Sequence, residues 1–306
     1  MKRILILGAT GFVGRHICTR LSQAGWSAIV PSRSPAAARH LAGLPRVDVV
    51  PGDVHDEATL IRLLAGADAV VNLVAILHGS EAAFEQVHVE LPKKLARACA
   101  AAGVRRLVQV SALGAAQDGP SMYQRSKARG EAVLKAAATA GTLDLSVLRP
   151  SVIFGAQDKF LNVFAQLQRM FPLIPLAGAD TRFQPVWVED VAAAVMRCLQ
   201  DDATIGQTFE ACGPEVFTLR DLVRLAGQYA GVNQGRGRAV FALPMPLARV
   251  QAWVMERLPG EPLMSGDNLD SMAVDNIASG KVPGLDALGI TPAALAAIAP
   301  GYLRKR

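Results

Sequence analysis

Along its first half the chain alternates between short apolar runs and stretches of helical period. Residues 4–7, 27–30, 47–50, 67–74 and 104–110 read as strands, and 67–74 in particular is a run with few polar positions. A strand buried on both faces shows no in-out alternation, so these runs predict parallel strands covered on either side. Between them apolar residues recur at helical spacing, as at Phe12, Val13, Ile17 and Leu21, and predict the covering helices. Strand–helix alternation implies right-handed crossovers and an α/β, Rossmann-type doubly wound parallel sheet. A long helical stretch over 81–101 should kink or restart at Pro92.

From about Gly155 this rhythm fades. Residues 160–171 predict a helix, 172–175 a proline-broken segment, 185–188 a strand, 189–199 an Ala-rich helix and 207–211 a further short strand. Residues 218–230 have the polar start and apolar period of a capped helix. The expected organisation is a first domain over 1–155 and a smaller, partly interleaved lobe over 156–306, with about 184–212 returning to the first. Asp190 is expected to cap the 189–199 helix or to bond backbone nearby. Residues 243–258 carry Leu247, Val250, Trp253 and Val254 on one stripe. A core-facing helix is the stronger expectation for that stripe; a membrane-interface helix or the lining of an apolar substrate channel is the alternative.

Composition narrows the class. Hydrophobic residues make up 51% of the chain and charged residues 19%, as suits a globular enzyme with a doubly covered sheet. Lys and Arg outnumber Asp and Glu by 32 to 26. That surplus fits an anionic ligand or an acidic membrane surface and falls short of the clustered footprint of a nucleic-acid binder. Cys18, Cys99, Cys198 and Cys212 form no CxxC pair, so they read as reduced, buried thiols. The five histidines have no metal-ligand spacing, and no metal is expected. Lys2-Arg3 leads into an apolar run that the first strand explains, and no window reaches transmembrane length. A cytoplasmic protein is expected, with a peripheral seat at the inner face of the cell membrane as the alternative. The basic Arg304-Lys305-Arg306 segment is expected to be solvated.

The first strand runs into Gly8-Ala9-Thr10-Gly11-Phe12-Val13-Gly14, with a helix directly behind. At this spacing Gly8 permits a sharp turn, Gly11 lets a pyrophosphate approach the backbone, and Gly14 packs helix against strand. The phosphates of a nucleotide would sit on free N–H groups at the positive helix end. After the second strand come Ser32 and Arg33, where an acidic residue would hold the ribose of NAD. A hydroxyl and a guanidinium suit a 2′-phosphate, so NADP(H) is preferred and NAD(H) remains admissible. Arg15, Arg39 and His40 are further candidates there. Asp53, followed by Val54, either accepts from the adenine amino group or caps a turn. With Val74 and Lys127 these residues complete the expected nucleotide-binding set.

Tyr123 and Lys127 stand four apart on one helical face. A phenol is a poor acid–base group at neutral pH, and a neighbouring ammonium would lower its pKa. Ser111, at the end of the fifth strand, is placed to donate to the same substrate oxygen.

GATGFVG, Asp53, SALG at Ser111 and YQRSK at Tyr123 resemble the short-chain dehydrogenase/reductase superfamily in its extended or atypical branch. The 147–155 and 185–192 segments are similar to that branch, and with VNLVAIL at 71–77 look most like bacterial relatives of the nucleotide-binding accessory subunit of respiratory complex I. The resemblance implies that Tyr123 exchanges a proton, Lys127 lowers its pKa and holds the nicotinamide ribose, and Ser111 positions a carbonyl. It implies NADP(H)-dependent hydride transfer on an apolar or quinone-related small molecule. Two alternatives stand: a non-catalytic NADPH-holding protein associated with a respiratory complex, and a nucleotide-sugar epimerase or dehydratase.

Overall fold

The computed structural model describes residues 2–260 and 262–304. Seven parallel strands form the central sheet: β1 (Arg3–Leu7), β2 (Ser27–Ser32), β3 (Val47–Pro51), β4 (Ala69–Asn72), β5 (Arg106–Val110), β6 (Asp144–Pro150) and, after an excursion, β11 (Thr208–Ala211). Their order is β11-β6-β5-β4-β1-β2-β3. The order reverses direction between β1 and β4, which opens a crevice beyond the carboxyl ends of those two strands.

Each strand alternates its apolar side chains between two cores. Ile4 and Ile6 face the layer holding α1 (Phe12–Gln23); Leu5 and Leu7 face α2 (Glu57–Leu64), α4 (Leu91–Ala102) and α5 (Met122–Thr139). All four of these strand residues are fully buried. The irregularity in the long 81–102 helical stretch lies before Pro92. A short α3 (Glu81–Glu85) passes into a π-helical turn, Gln86–Glu90, and Pro92 sits in the first turn of α4, where its missing N–H costs nothing.

Beyond β7 (Ile153–Phe154) and α6 (Leu161–Met170) the chain builds its smaller lobe. The proline-containing stretch expected to be irregular is a strand, β8 (Leu173–Leu176). It tolerates Pro175 because the pair it forms has only two strands, so the missing donor faces outward. After β9 (Arg182–Phe183) and β10 (Val186–Trp187), α7 (Val188–Gln200) packs against α1, and β11 closes the edge of the main sheet beside β6. Then come β12 (Phe217–Thr218), α8 (Leu219–Tyr229) and β13 (Ala239–Ala242), the parallel partner of β8. Finally α9 (Met245–Met255), α10 (Gly266–Ser271) and α11 (Leu295–Leu303) complete the order. Thr218 and Asp221 form the capping box of α8. Leu285 and Leu288 join the α1–α7 core, so a late segment also leans on the large sheet.

Asp190 does not cap α7. Its Oδ2 accepts from the Ala293 N–H at 2.8 Å, and burial pushes its carboxyl above the usual range. The stripe on α9 does not face a core: Leu247, Val250, Trp253 and Val254 are exposed, and the helix packs through Ala248 and Ala252. All four cysteines are buried and free. Among the described residues no helix is long and apolar enough to cross a membrane, and no group of three His, Cys, Asp or Glu forms a metal set. Lys305 and Arg306 of the basic tail lie outside the described residues.

Candidate active site

The glycine turn has the geometry its spacing predicts at Gly8 and at Gly14. Gly8 has φ +82°, a left-handed conformation that L side chains avoid. An added Cβ at Gly14 would overlap the Ala9 backbone, so only glycine lets α1 lie this close to β1. At Gly11 an added Cβ would meet only the Gly8 carbonyl oxygen, at 3.2 Å. No side chain caps α1 at Gly11. Its first-turn N–H groups therefore remain for an anion, aided by the helix dipole. This uncapped cradle fits the diphosphate of a dinucleotide.

Val74 and Phe12 border the same turn. A Cβ added at Gly8 would lie 3.2 Å from the Val74 nitrogen, and that N–H donates to Asn72 Oδ1. Phe12 packs against Gly155, where an added Cβ would come within 3.0 Å of its ring. Ser32 ends β2; its hydroxyl donates to the Ser34 carbonyl at 2.7 Å and accepts the Ser34 N–H. Arg33 is exposed, with its charge near His55. His55 is held below its usual pKa by burial first, with Asp53 opposing and Arg33 adding to the shift. Arg15 faces His40, which is lowered by burial and by that guanidinium, and Arg15 Nε is buried without a partner. Asp53 Oδ1 accepts the His55 N–H at 3.0 Å and closes the turn before α2.

Lys127 is buried on the inner face of α5 and donates to the Val110 carbonyl at 3.1 Å, one residue before Ser111. Burial brings its pKa down to about 8, with Glu131 opposing. Tyr123 is partly exposed, and its hydroxyl has no hydrogen-bond partner among the described residues. Its ring meets Phe84 and His88 edge-on, at centroid distances of 6.4 and 5.6 Å. The surrounding protein pushes the phenol up to about 12. The expected lowering by Lys127 is thus reversed, because desolvation of the phenolate outweighs any help from the cation. Ser111 is buried with an unpartnered hydroxyl. That hydroxyl faces Glu131 and helps hold its carboxylate ionised, behind the larger pull of Arg149, without reaching hydrogen-bond geometry. No hydrogen bond joins Ser111, Tyr123 and Lys127.

Three supporting elements escaped the sequence. His88, on the π-helical turn, accepts the Ile76 N–H on Nε2 and contacts Ser126 Oγ through Nδ1, while Ser126 donates to the Tyr123 carbonyl. Those partners fix the neutral Nδ1–H tautomer, and burial with the nearby Lys127 charge lowers its pKa to about 3. Glu131 is gripped by Arg149 through two bonds of 2.9 and 2.6 Å, and also by Lys135. Asp267 reaches from α10 to accept both the Met122 and Tyr123 N–H groups, at 2.6 and 3.1 Å. The Ser121–Gln124 capping box satisfies the next one. Glu131 stands four residues beyond Lys127, the one signal sequence offered; nothing local marks His88 or Asp267.

The model of the NAD dependent epimerase/dehydratase family matches residues 4–212. The chain is 31% identical over 304 residues, 94% of its length and 73% of the relative's, to the mitochondrial NADH dehydrogenase [ubiquinone] 1 alpha subcomplex subunit 9 of Arabidopsis thaliana. It is 31% identical over 194 residues to the ceramide reductase of Caulobacter vibrioides, covering 63% of this chain and 59% of that protein. The structure of DesIV, a dTDP-glucose 4,6-dehydratase from Streptomyces venezuelae with NAD and TYD bound, superposes with TM-score 0.76 over 98% of this chain and 95% of that one, at 21% identity. With an uncapped glycine cradle at the switch point of a seven-stranded parallel sheet, this chain is an NAD(P)-binding member of the NAD-dependent epimerase/dehydratase family, within the extended short-chain dehydrogenase/reductases.

Proposed function

We propose that the chain is an NADP(H)-dependent reductase of the short-chain dehydrogenase/reductase type, acting on an apolar or quinone-like carbonyl or the matching alcohol. The carrying observation is the pair of a partly exposed Tyr123 on the helix that follows β5, its hydroxyl without a hydrogen-bond partner among the described residues, and the uncapped nucleotide cradle at α1. The nicotinamide, when bound, supplies or accepts a hydride at the substrate carbon. Tyr123 gives its proton to the carbonyl oxygen in reduction. A phenol at about 12 is fully protonated at neutral pH, which suits donation better than abstraction. Lys127, already held at the carboxyl end of β5, would grip the nicotinamide ribose. Gly8, Thr10, Gly11, Phe12, Val13 and Gly14 would hold the diphosphate, with Val54 and Val74 bordering the nucleotide.

For the cofactor, the cationic Arg33 and the buried, unpaired Nε of Arg15 support a 2′-phosphate over a free ribose hydroxyl. Arg33→Asp is expected to shift relative affinity from NADPH toward NADH by about 10-fold or more, the size of one lost charge-assisted contact. Equal preference before and after would remove Arg33 from that role.

A second reading is a protein that holds NADPH without turning it over and contacts a respiratory complex. The relative from Arabidopsis thaliana is a subunit of such an enzyme by its name. NADPH fluorescence titration and turnover with quinone and enone probes separate the two. Turnover lost in Tyr123→Phe with NADPH binding retained supports the reductase; tight NADPH binding with no turnover in either chain supports the second reading. Sugar-nucleotide chemistry, the third reading, predicts a thermal shift with UDP- or dTDP-sugars.

A further inference from the structure

In the smaller lobe, α9 turns its large apolar side chains outward. α9 packs on Ala177 and Leu269 through its small residues Ala248 and Ala252, while Leu247, Val250 and Trp253 are 57%, 60% and 55% exposed. A surface helix normally buries its large apolar stripe and exposes its small or polar one. Here the arrangement is inverted. The same apolar character continues on both sides of α9. Upstream, β8 and β13 bury Ile174 and Val240 and expose Leu173 and Phe241. Downstream, Leu258 and Leu263 are exposed before the chain enters α10. Exposed Leu77 lies beside His78, whose ring contacts Ser265 at the start of α10, two residues from the Asp267 that meets Tyr123.

Charge and shape select the occupant. Residues 241–258 contain Arg249 and Arg257 against one carboxylate, Glu256, and exposed Arg236 precedes β13. Glu256 is engaged by the Gly266 N–H, and Arg249 is balanced by Asp270. The Arg257 guanidinium stacks 3.7 Å above the Trp253 ring. A stacked arginine and tryptophan at the end of an apolar helix face place a cation and an amphipathic ring at one level, as the boundary between hydrocarbon and headgroup favours. The outward side chains stand on the convex side of a helix, whereas a docking peptide needs a groove.

We propose that this face of the smaller lobe seats on an anionic phospholipid bilayer, with the outer side of α9 lying in the headgroup layer. The inference stands apart from the cofactor reading, and NADPH binding is measured alongside so that either can fail alone.

The test is flotation of the full chain with phosphatidylcholine vesicles, with and without phosphatidylglycerol. The chain floats with the anionic vesicles, about 10-fold more weakly or not at all with the neutral ones, and shows a blue-shifted tryptophan emission that Trp253→Phe removes. The double variant Leu247→Glu/Val250→Glu changes only exposed positions; its vesicle binding falls by about 10-fold or more while its NADPH binding stays unchanged. No flotation with either vesicle, or undiminished flotation of the double variant, overturns the proposal. Self-association in sedimentation equilibrium that the double variant abolishes, without vesicle binding, also overturns it and assigns the face to a second copy of the chain.

Discussion

Tyr123, Lys127 and His88 each carry the mark of burial in the same direction, disfavouring charge. For His88 the folded pKa of about 3 lies below the ordinary 6.5. Between those values the unfolded chain takes up a proton that the folded chain refuses, so stability rises with pH across the window and is lost as pH falls through it. The acid-side slope of urea-midpoint against pH should shrink in His88→Gln, which keeps polar reach without a titratable ring. For Lys127 the folded value of about 8 lies below 10.5, so the same reasoning adds stability as pH climbs from about 8 toward 10.5. Tyr123 at about 12 means that the free chain shows no phenolate from this residue below pH 10. A difference absorbance titration between the chain and Tyr123→Phe checks this; an earlier phenolate would show that Lys127 does reach the ring.

At the scale of elements, the π-helical turn and α5 meet through a missing side chain. An added Cβ at Gly130 would overlap the His88 carbonyl oxygen, so α5 can lie against Gln86–Glu90 only with glycine there. Gly130→Ala is expected to destabilise by about 2 kcal/mol or more, because backbone on both sides must shift. Gly301, inside α11, meets nothing within 4 Å, so Gly301→Ala should stabilise by about 0.5–1 kcal/mol. Thermal unfolding of the two variants should move in opposite directions. The glycine turn belongs to this scale too, and it was legible in sequence because its demands are local: a left-handed φ at Gly8 and contact with Ala9 at Gly14 involve neighbours in the chain. The π-helical turn was not legible, because the spacing of 81–101 is helical whether one residue bulges or not.

Across the whole molecule the smaller lobe is tied to the candidate site by Asp267. Two N–H groups at the positive end of α5 bond a carboxylate 145 and 144 positions away. Removing it in Asp267→Ala strips two caps from the helix that carries Tyr123 and should cost about 1–2 kcal/mol. Amide exchange at Met122 and Tyr123 should quicken; unchanged protection there would mean that the lobe is held elsewhere. The Glu131–Arg149 pair likewise joins α5 to β6 across the interior, where losing one partner strands a buried charge.

The sequence alone determined what depends on neighbours and period: parallel strands from unbroken apolar runs, the phosphate cradle from three glycines, and Tyr123 and Lys127 on one helical face. Tertiary structure decided what depends on surroundings. A four-residue spacing puts an ammonium and a phenol on one face, but desolvation within the fold sets the phenol's pKa, and it moves up. Periodicity likewise reveals a stripe of large apolar residues on α9 without saying which side of the helix meets the protein. Ala248 and Ala252, small enough to lie close to Ala177, took the inward side and left Trp253 facing out.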